Sequence, residues 1–134
     1  MAEAKQVVER HVEAFNAHQA DADPWTEDAE FVAPGGSMRG REDVLAFLGA
    51  FWEAFPDGRL ELSKVLGEGS VAAAEGRFIG THSGLFRTAT ADVPATGRPV
   101  DFRWMSAYEA RGDELASEHL FFDQVELLTQ LGLM

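Results

Sequence analysis

The spacing of apolar positions changes once along this chain, near Pro56-Asp57-Gly58. Before that point the period is helical. Val7, Val8, His11, Val12, Ala14 and Phe15 share one side, with Glu3, Glu9, Arg10 and Glu13 mostly opposite. That pattern predicts an amphipathic helix of about four turns, ending near Asn16-Ala17-His18. Asp21 to Trp25 reads as a short second helix or turn, because Pro24 suits a first helical turn. Ala29 to Ala33 reads as a short strand, stopped by Pro34-Gly35-Gly36. From Asp43 to Phe55 the helical period returns, with a wide stripe of Val44, Leu45, Phe47, Leu48, Phe51, Trp52 and Phe55.

After Gly58 the period is two. Leu60, Leu62 and Val65-Leu66 belong to one strand, and Gly67-Glu68-Gly69 turns it. Val71 to His82 is a long strand whose one face reads Ala72, Ala74, Gly76, Phe78, Gly80, His82. The small residues there allow close approach by other groups. A loop from Ser83 to Arg98 follows, long enough to suspect of function. Val100, Phe102, Trp104, Ser106 and Tyr108 then alternate with Asp101, Arg103, Met105, Ala107 and Glu109. Arg111-Gly112-Asp113 turns the chain into a last strand from about Leu115 to Phe122, and Gln124 to Leu131 forms a short helix. No repeat or linker divides residues 1–134, so one domain is expected. Helices followed by an antiparallel meander give an α+β fold, with helices packed on a bent sheet. Such a sheet and its cover can enclose a ligand pocket.

Composition narrows the partners. Eleven basic residues against 23 acidic ones leave a formal charge of −12, which repels phosphate backbones and anionic lipid. Nucleic acid and membrane surfaces are therefore poor partners. Cysteine is absent, so disulfides, thiolate nucleophiles and thiolate metal sites are excluded. No apolar run nears the roughly 20 residues that span a bilayer. The charged opening Met1-Ala2-Glu3-Ala4-Lys5 has no signal-peptide apolar region, so a cytoplasmic protein is expected. His11, His18, His82 and His119 lack ligand-type spacing, and no metal site is expected. The glycines match no phosphate-binding fingerprint, and no cofactor is expected.

Two stretches carry a resemblance. One is Gly80-Thr81-His82-Ser83-Gly84 with Pro94-Ala95-Thr96-Gly97-Arg98. The other is the ending Phe121-Phe122-Asp123 through Leu127-Leu128-Thr129-Gln130-Leu131-Gly132. Together, behind an amphipathic N-terminal helix, they resemble the SnoaL-like polyketide cyclase and ester cyclase family of the NTF2-like superfamily. The resemblance implies a cone: N-terminal helices packed on a strongly curved antiparallel sheet, with an apolar hole inside. It also implies acid–base groups at four positions, occupied here by Leu120, Ser106, Trp104 and Ala33. None of these residues is a general base near neutral pH.

Other residues are therefore candidates for the chemistry. Asp123 ends the last strand, but Asp123 followed by Glu126 has capping-box spacing, and a helix cap is its better explanation. His82 closes the long strand beside the loop; it can serve as a base or simply fix the loop's path. Tyr108 can donate to a carbonyl oxygen or satisfy itself against backbone. The expected pocket lining is Phe15, Met38, Trp52, Phe86, Trp104, Ser106, Leu120 and Phe122. The resemblance turns Leu120 and Phe122 inward and His119 outward. Met105 and Phe121 then make the outer sheet face apolar, as a homodimer interface would be. The function expected is a cofactor-independent cyclase or isomerase acting on a small, mostly apolar polyketide-like molecule. The alternatives are a non-catalytic binder of small molecules and an assembly module with a filled interior.

Overall fold

A computed structural model describes residues 3–88 and 90–134. Met1 and Ala2 of the charged opening, and Ala89 of the long loop, lie outside the described residues. Helix α1 (Ala4–Asn16) buries Val7, Val8, His11, Val12 and Phe15 on its apolar side. A 3-10 turn at Ala20–Ala22 leads into β1 (Trp25–Ala33), and β2 (Gly36–Arg39) pairs back on it. Helix α2 (Arg41–Ala54) starts with Glu42 and Asp43 in its first turn, where carboxylates favour the helix dipole. The remaining elements are β3 (Arg59–Glu68), β4 (Val71–Thr81), the two-residue strands β5 (Phe86–Arg87) and β6 (Asp92–Val93), β7 (Pro99–Arg111), β8 (Glu114–Phe122) and α3 (Gln124–Gln130).

Six strands form one curved sheet in the order β2-β1-β8-β7-β4-β3, while β5 and β6 pair with each other. This is the expected α+β cone with one difference. β1 runs parallel to β8, so the sheet is mixed rather than wholly antiparallel. Local periodicity does not encode which distant strand becomes a neighbour, and this pairing joins segments some ninety residues apart. β1 also starts earlier than its clean alternation, because its register with β8 shifts between Trp25 and Glu30. Pro24 precedes this strand instead of opening a helix, and its carbonyl accepts a bond from the Leu115 N–H at 2.6 Å.

The core lies between the helices and the inner sheet face. Along β7, Val100, Phe102, Trp104, Ser106, Tyr108 and Ala110 are all buried, while the residues between them face out. Ring contacts link Phe15 to Phe78, Phe78 to Phe102 and Phe102 to Phe122, at centroid separations of 6.4, 5.4 and 5.2 Å. Such edge-on and tilted contacts add to the burial of the rings themselves. Among the described residues, no helix is long and apolar enough to cross a membrane.

Candidate functional site

The inner face of the sheet changes character along its length. In the β7–β8 register Trp104 lies opposite Phe122, Ser106 opposite Leu120, and Tyr108 opposite Glu118. Directly paired residues share a face, so Glu118 points inward with Leu120 and Phe122. One end of this strip is aromatic and the other is polar.

Two further side chains complete the polar end. His11 lies on the buried stripe of α1 and is 2 % exposed. Its Nδ1 meets Asp23 Oδ1 at 2.7 Å, and its Nε2 stands 3.5 Å from Glu118 Oε1. Asp23 lies just after the 3-10 turn, and its Oδ2 has no hydrogen-bond partner. The other Glu118 oxygen, Oε2, accepts from Ser106 Oγ at 2.7 Å. The Tyr108 hydroxyl interacts with both Ser106 and Glu118. Oε1 of Glu118 has no hydrogen-bond partner.

Arg41 fixes this arrangement from outside. Its guanidinium donates to the carbonyls of Asp23, Trp25 and Ala20 at 2.8, 3.1 and 3.3 Å. The segment carrying Asp23 is thereby clipped to the start of α2. The Trp25 ring packs against His11, with centroids 5.2 Å apart. Three backbone acceptors on one rigid fork hold a short irregular segment in place without regular secondary structure.

The electrostatics follow from burial and proximity. Burial opposes charge on His11, but the Asp23 carboxylate, its hydrogen bond and the charge of Glu118 outweigh it and raise the imidazole's pKa. Burial raises the Glu118 pKa, against the lowering influence of His11 and Ser106. The Tyr108 phenol is pushed well up by burial and by the Glu118 charge, so it remains a donor. The cluster is thus a carboxylate–imidazole–carboxylate series, with one carboxylate more readily protonated than usual.

A narrow pocket ends on this cluster. His11, Tyr108 and Glu118 form its floor, and its walls include Phe15, Phe47, Phe51, Phe78, Trp104 and Leu120. The space open to centres of water-sized molecules is about 50 Å³, room for a few waters by the same measure. A larger guest requires the wall rings to shift. The Trp104 indole N–H, a donor on one of the wall residues, also has no partner.

Of the residues singled out from the sequence, Phe15, Trp104, Tyr108, Leu120 and Phe122 line this pocket. Ser106 lies behind its floor as a donor to Glu118. Trp52 packs beside Phe15 at 5.6 Å and stacks on His18. Phe86 packs on Phe51 and Phe55 at 5.3 and 5.8 Å, and Met38 packs on the edge of the core. These three are not among the lining residues.

His82 is fully buried at the root of the long loop. Its Nδ1 accepts from the Thr96 N–H at 3.2 Å and lies 3.0 Å from Thr96 Oγ1. Its backbone bonds Arg98 and Gly97. Burial lowers its pKa, so the neutral ring that accepts from Thr96 is favoured. His82 is not part of the pocket lining. Asp123 caps α3, accepting from the N–H groups of Val125 and Glu126 at 2.9 and 3.3 Å. His119 faces outward, 3.1 Å from Glu30. Among the described residues, no group of three or more His, Asp or Glu has the geometry to hold a metal ion.

Sequence reasoning passed over His11, Asp23 and Glu118. For Glu118 the signal was present: it alternates in phase with Leu120 and Phe122, and an acid on an apolar inner face needs an explanation. For His11 the signal was its place among valines on the buried stripe of α1. Asp23 lies in a segment without periodicity, where nothing local marks burial.

Known proteins of the same shape agree on the fold. A SnoaL-like polyketide cyclase candidate from Jannaschia sp. CCS1 superposes with a TM-score of 0.83 at 20% identity, covering 96% of this chain and 92% of that one. IdmH, a polyketide cyclase candidate from Streptomyces antibioticus, gives 0.81 at 25% identity, covering 98% and 99%. AclR from Streptomyces galilaeus, described as a hydroxylase candidate, gives 0.81 at 20% identity, covering 98% and 85%. The same shape therefore carries different assigned activities. No curated protein matches the sequence. The SnoaL-like domain model matches residues 8–119, and the chain belongs to the SnoaL-like family.

Proposed function

We propose that this protein is a cofactor-independent cyclase or isomerase that holds a small, mostly apolar, polyketide-like molecule in the aromatic pocket. The observation that carries this reading is the pocket's polarity. Apolar walls end on one buried floor with an unspent carboxylate oxygen, Glu118 Oε1. Apolar walls bind and orient a guest, and a polar floor gives it one reactive end. Family membership and the two polyketide cyclase candidates of the same shape support the same class. We also read the outer sheet face as a homodimer contact, since Met105 and Phe121 are 56% and 63% exposed.

The pocket assignment is tested by filling it. Leu120→Trp places a larger side chain among the wall residues. Binding of an apolar ketone such as 2-tetralone, followed by tryptophan fluorescence, should weaken at least about 10-fold, while a cooperative melting curve shows that the variant is folded. Unchanged binding in this variant would place the ligand elsewhere. Binding by the parent without conversion of any cyclisable polyketone would favour a non-catalytic binder.

A further inference from the structure

We infer that His11 and Glu118 form the proton-transfer site of this chain, and that its substrate is a neutral carbonyl compound with an adjacent C–H. This deepens the proposed function and rests on it. The usual acid–base position on the last strand is filled by Leu120, yet an acid occurs two residues deeper on the same inward face. Glu118 and His11 both line the pocket, and Glu118 Oε1 lies 3.5 Å from His11 Nε2. They form an ion pair without a close hydrogen bond, and Oε1 is closed off from the pocket until the wall rings shift for a guest. An acceptor beside a donor matches the two reacting parts of one ketone: the α C–H and the carbonyl oxygen.

The donor requires Asp23. A neutral imidazole giving its Nδ1 proton to Asp23 has a bare Nε2, which can only accept. The imidazolium carries a proton on both nitrogens. Asp23, 1% exposed and 2.7 Å from Nδ1, favours that charged form. It does not line the pocket, so it is a positioning residue. Glu118 is in turn held through Oε2 by Ser106, with Tyr108 alongside. Around the pair, α1 contributes His11, the segment before β1 contributes Asp23 and β7 contributes Tyr108; the neighbouring Trp25 and Phe31 bring no charge. Two carboxylates against one imidazolium disfavour an anionic guest, and among the described residues no Arg or Lys lines the pocket.

The step balances within one molecule. The Glu118 carboxylate takes the α proton, and the C–H electron pair becomes the new C=C bond. The carbonyl π pair moves to oxygen, stabilised by the His11 Nε2–H. The enolate carbon then attacks a second carbonyl carbon of the same guest and closes a C–C bond. The resulting alkoxide recovers the proton from the Glu118 carboxylic acid. No oxidant or reductant is consumed.

Exchange of the α protons of 2-tetralone in D₂O, followed by proton NMR, tests the first half of this step. The parent chain should exceed the buffer blank, and Glu118→Gln should lose about 100-fold or more. The glutamine keeps the shape and the Ser106 contact, and its melting curve confirms folding. Asp23→Asn should move the alkaline fall of the pH–rate profile to lower pH, with Asp23→Glu restoring part of the shift. A purely structural role for Asp23 would leave the profile's midpoint in place. Parent-like exchange in Glu118→Gln overturns the assignment of Glu118 and leaves the proposed function standing. Bound tetralone that the parent exchanges no faster than buffer overturns the proton-transfer site altogether. Failure to bind any apolar ketone overturns the proposed function, and this inference with it.

Discussion

Asp23→Ala should cost about 3–5 kcal/mol of folding stability, the usual penalty for stripping one partner from a buried charged pair. Asp23 is almost fully buried, and its contact with His11 is short. Alanine leaves the imidazole without its nearest counter-charge and opens a space beside it. The protein responds by giving up the His11 proton, so the loss should be largest at acidic pH, where the unfolded chain's histidine is charged. Asp23→Asn, which keeps an oxygen acceptor for Nδ1, should cost less. Urea denaturation of the three chains at pH 5.5 and pH 8.5 measures both effects. A loss below about 1 kcal/mol at acidic pH would show that the dyad is only weakly coupled to the fold.

Gly76→Ala should be the second severe substitution, at about 3 kcal/mol. A Cβ there would stand 2.0 Å from the Glu61 carbonyl oxygen and 3.1 Å from Cζ2 of Trp104. The first obstacle is backbone. β3 shifts register against β4 between Leu62 and Lys64, directly beside Gly76, and the Glu61 carbonyl lies against the glycine. Relief requires the strands to separate or Trp104 to move into the pocket, so ligand affinity should fall with stability. Thermal melts and the tetralone fluorescence titration report the two losses. A variant within about 0.5 kcal/mol of the parent would show that the bulge yields easily.

These two sites mark what could and could not be read in advance. The run of small residues on β4 announced a close approach, and Gly76 and Gly80 are where it occurs. Strand alternation was equally informative on β7, where every second residue from Val100 to Ala110 is buried. The capping-box spacing at Asp123 corresponds to a helix cap in the structure. Periodicity says which residues are inside, but not which inside residues meet. His11, Asp23 and Glu118 are separated by up to 107 positions, and only the packing of α1 across β8 and the Arg41 clip assembles them. The parallel β1–β8 pairing was hidden for the same reason. Trp52 and Phe86 have the composition of pocket residues, yet their rings pack one layer behind the wall.

The central claim is that this family member carries its acid–base chemistry on Glu118, deeper than the usual position. The pH at which that carboxyl titrates reads this directly. Burial raises its pKa in the folded chain. The folded state therefore holds a proton that the unfolded state has released, and Glu118 costs stability as pH rises from the ordinary glutamate range through the folded value. His82, whose folded pKa is lowered, contributes the opposite slope around neutrality, and His11, whose folded pKa is raised, adds to the loss as pH rises, so bulk stability mixes all three. Carbon-13 NMR of the glutamate side-chain carboxyls, with the Glu118 signal assigned by its loss in Glu118→Gln, separates them. We expect a midpoint above the ordinary glutamate range that moves when Asp23 or His11 is replaced. A midpoint at the ordinary value, indifferent to both neighbours, would contradict the account.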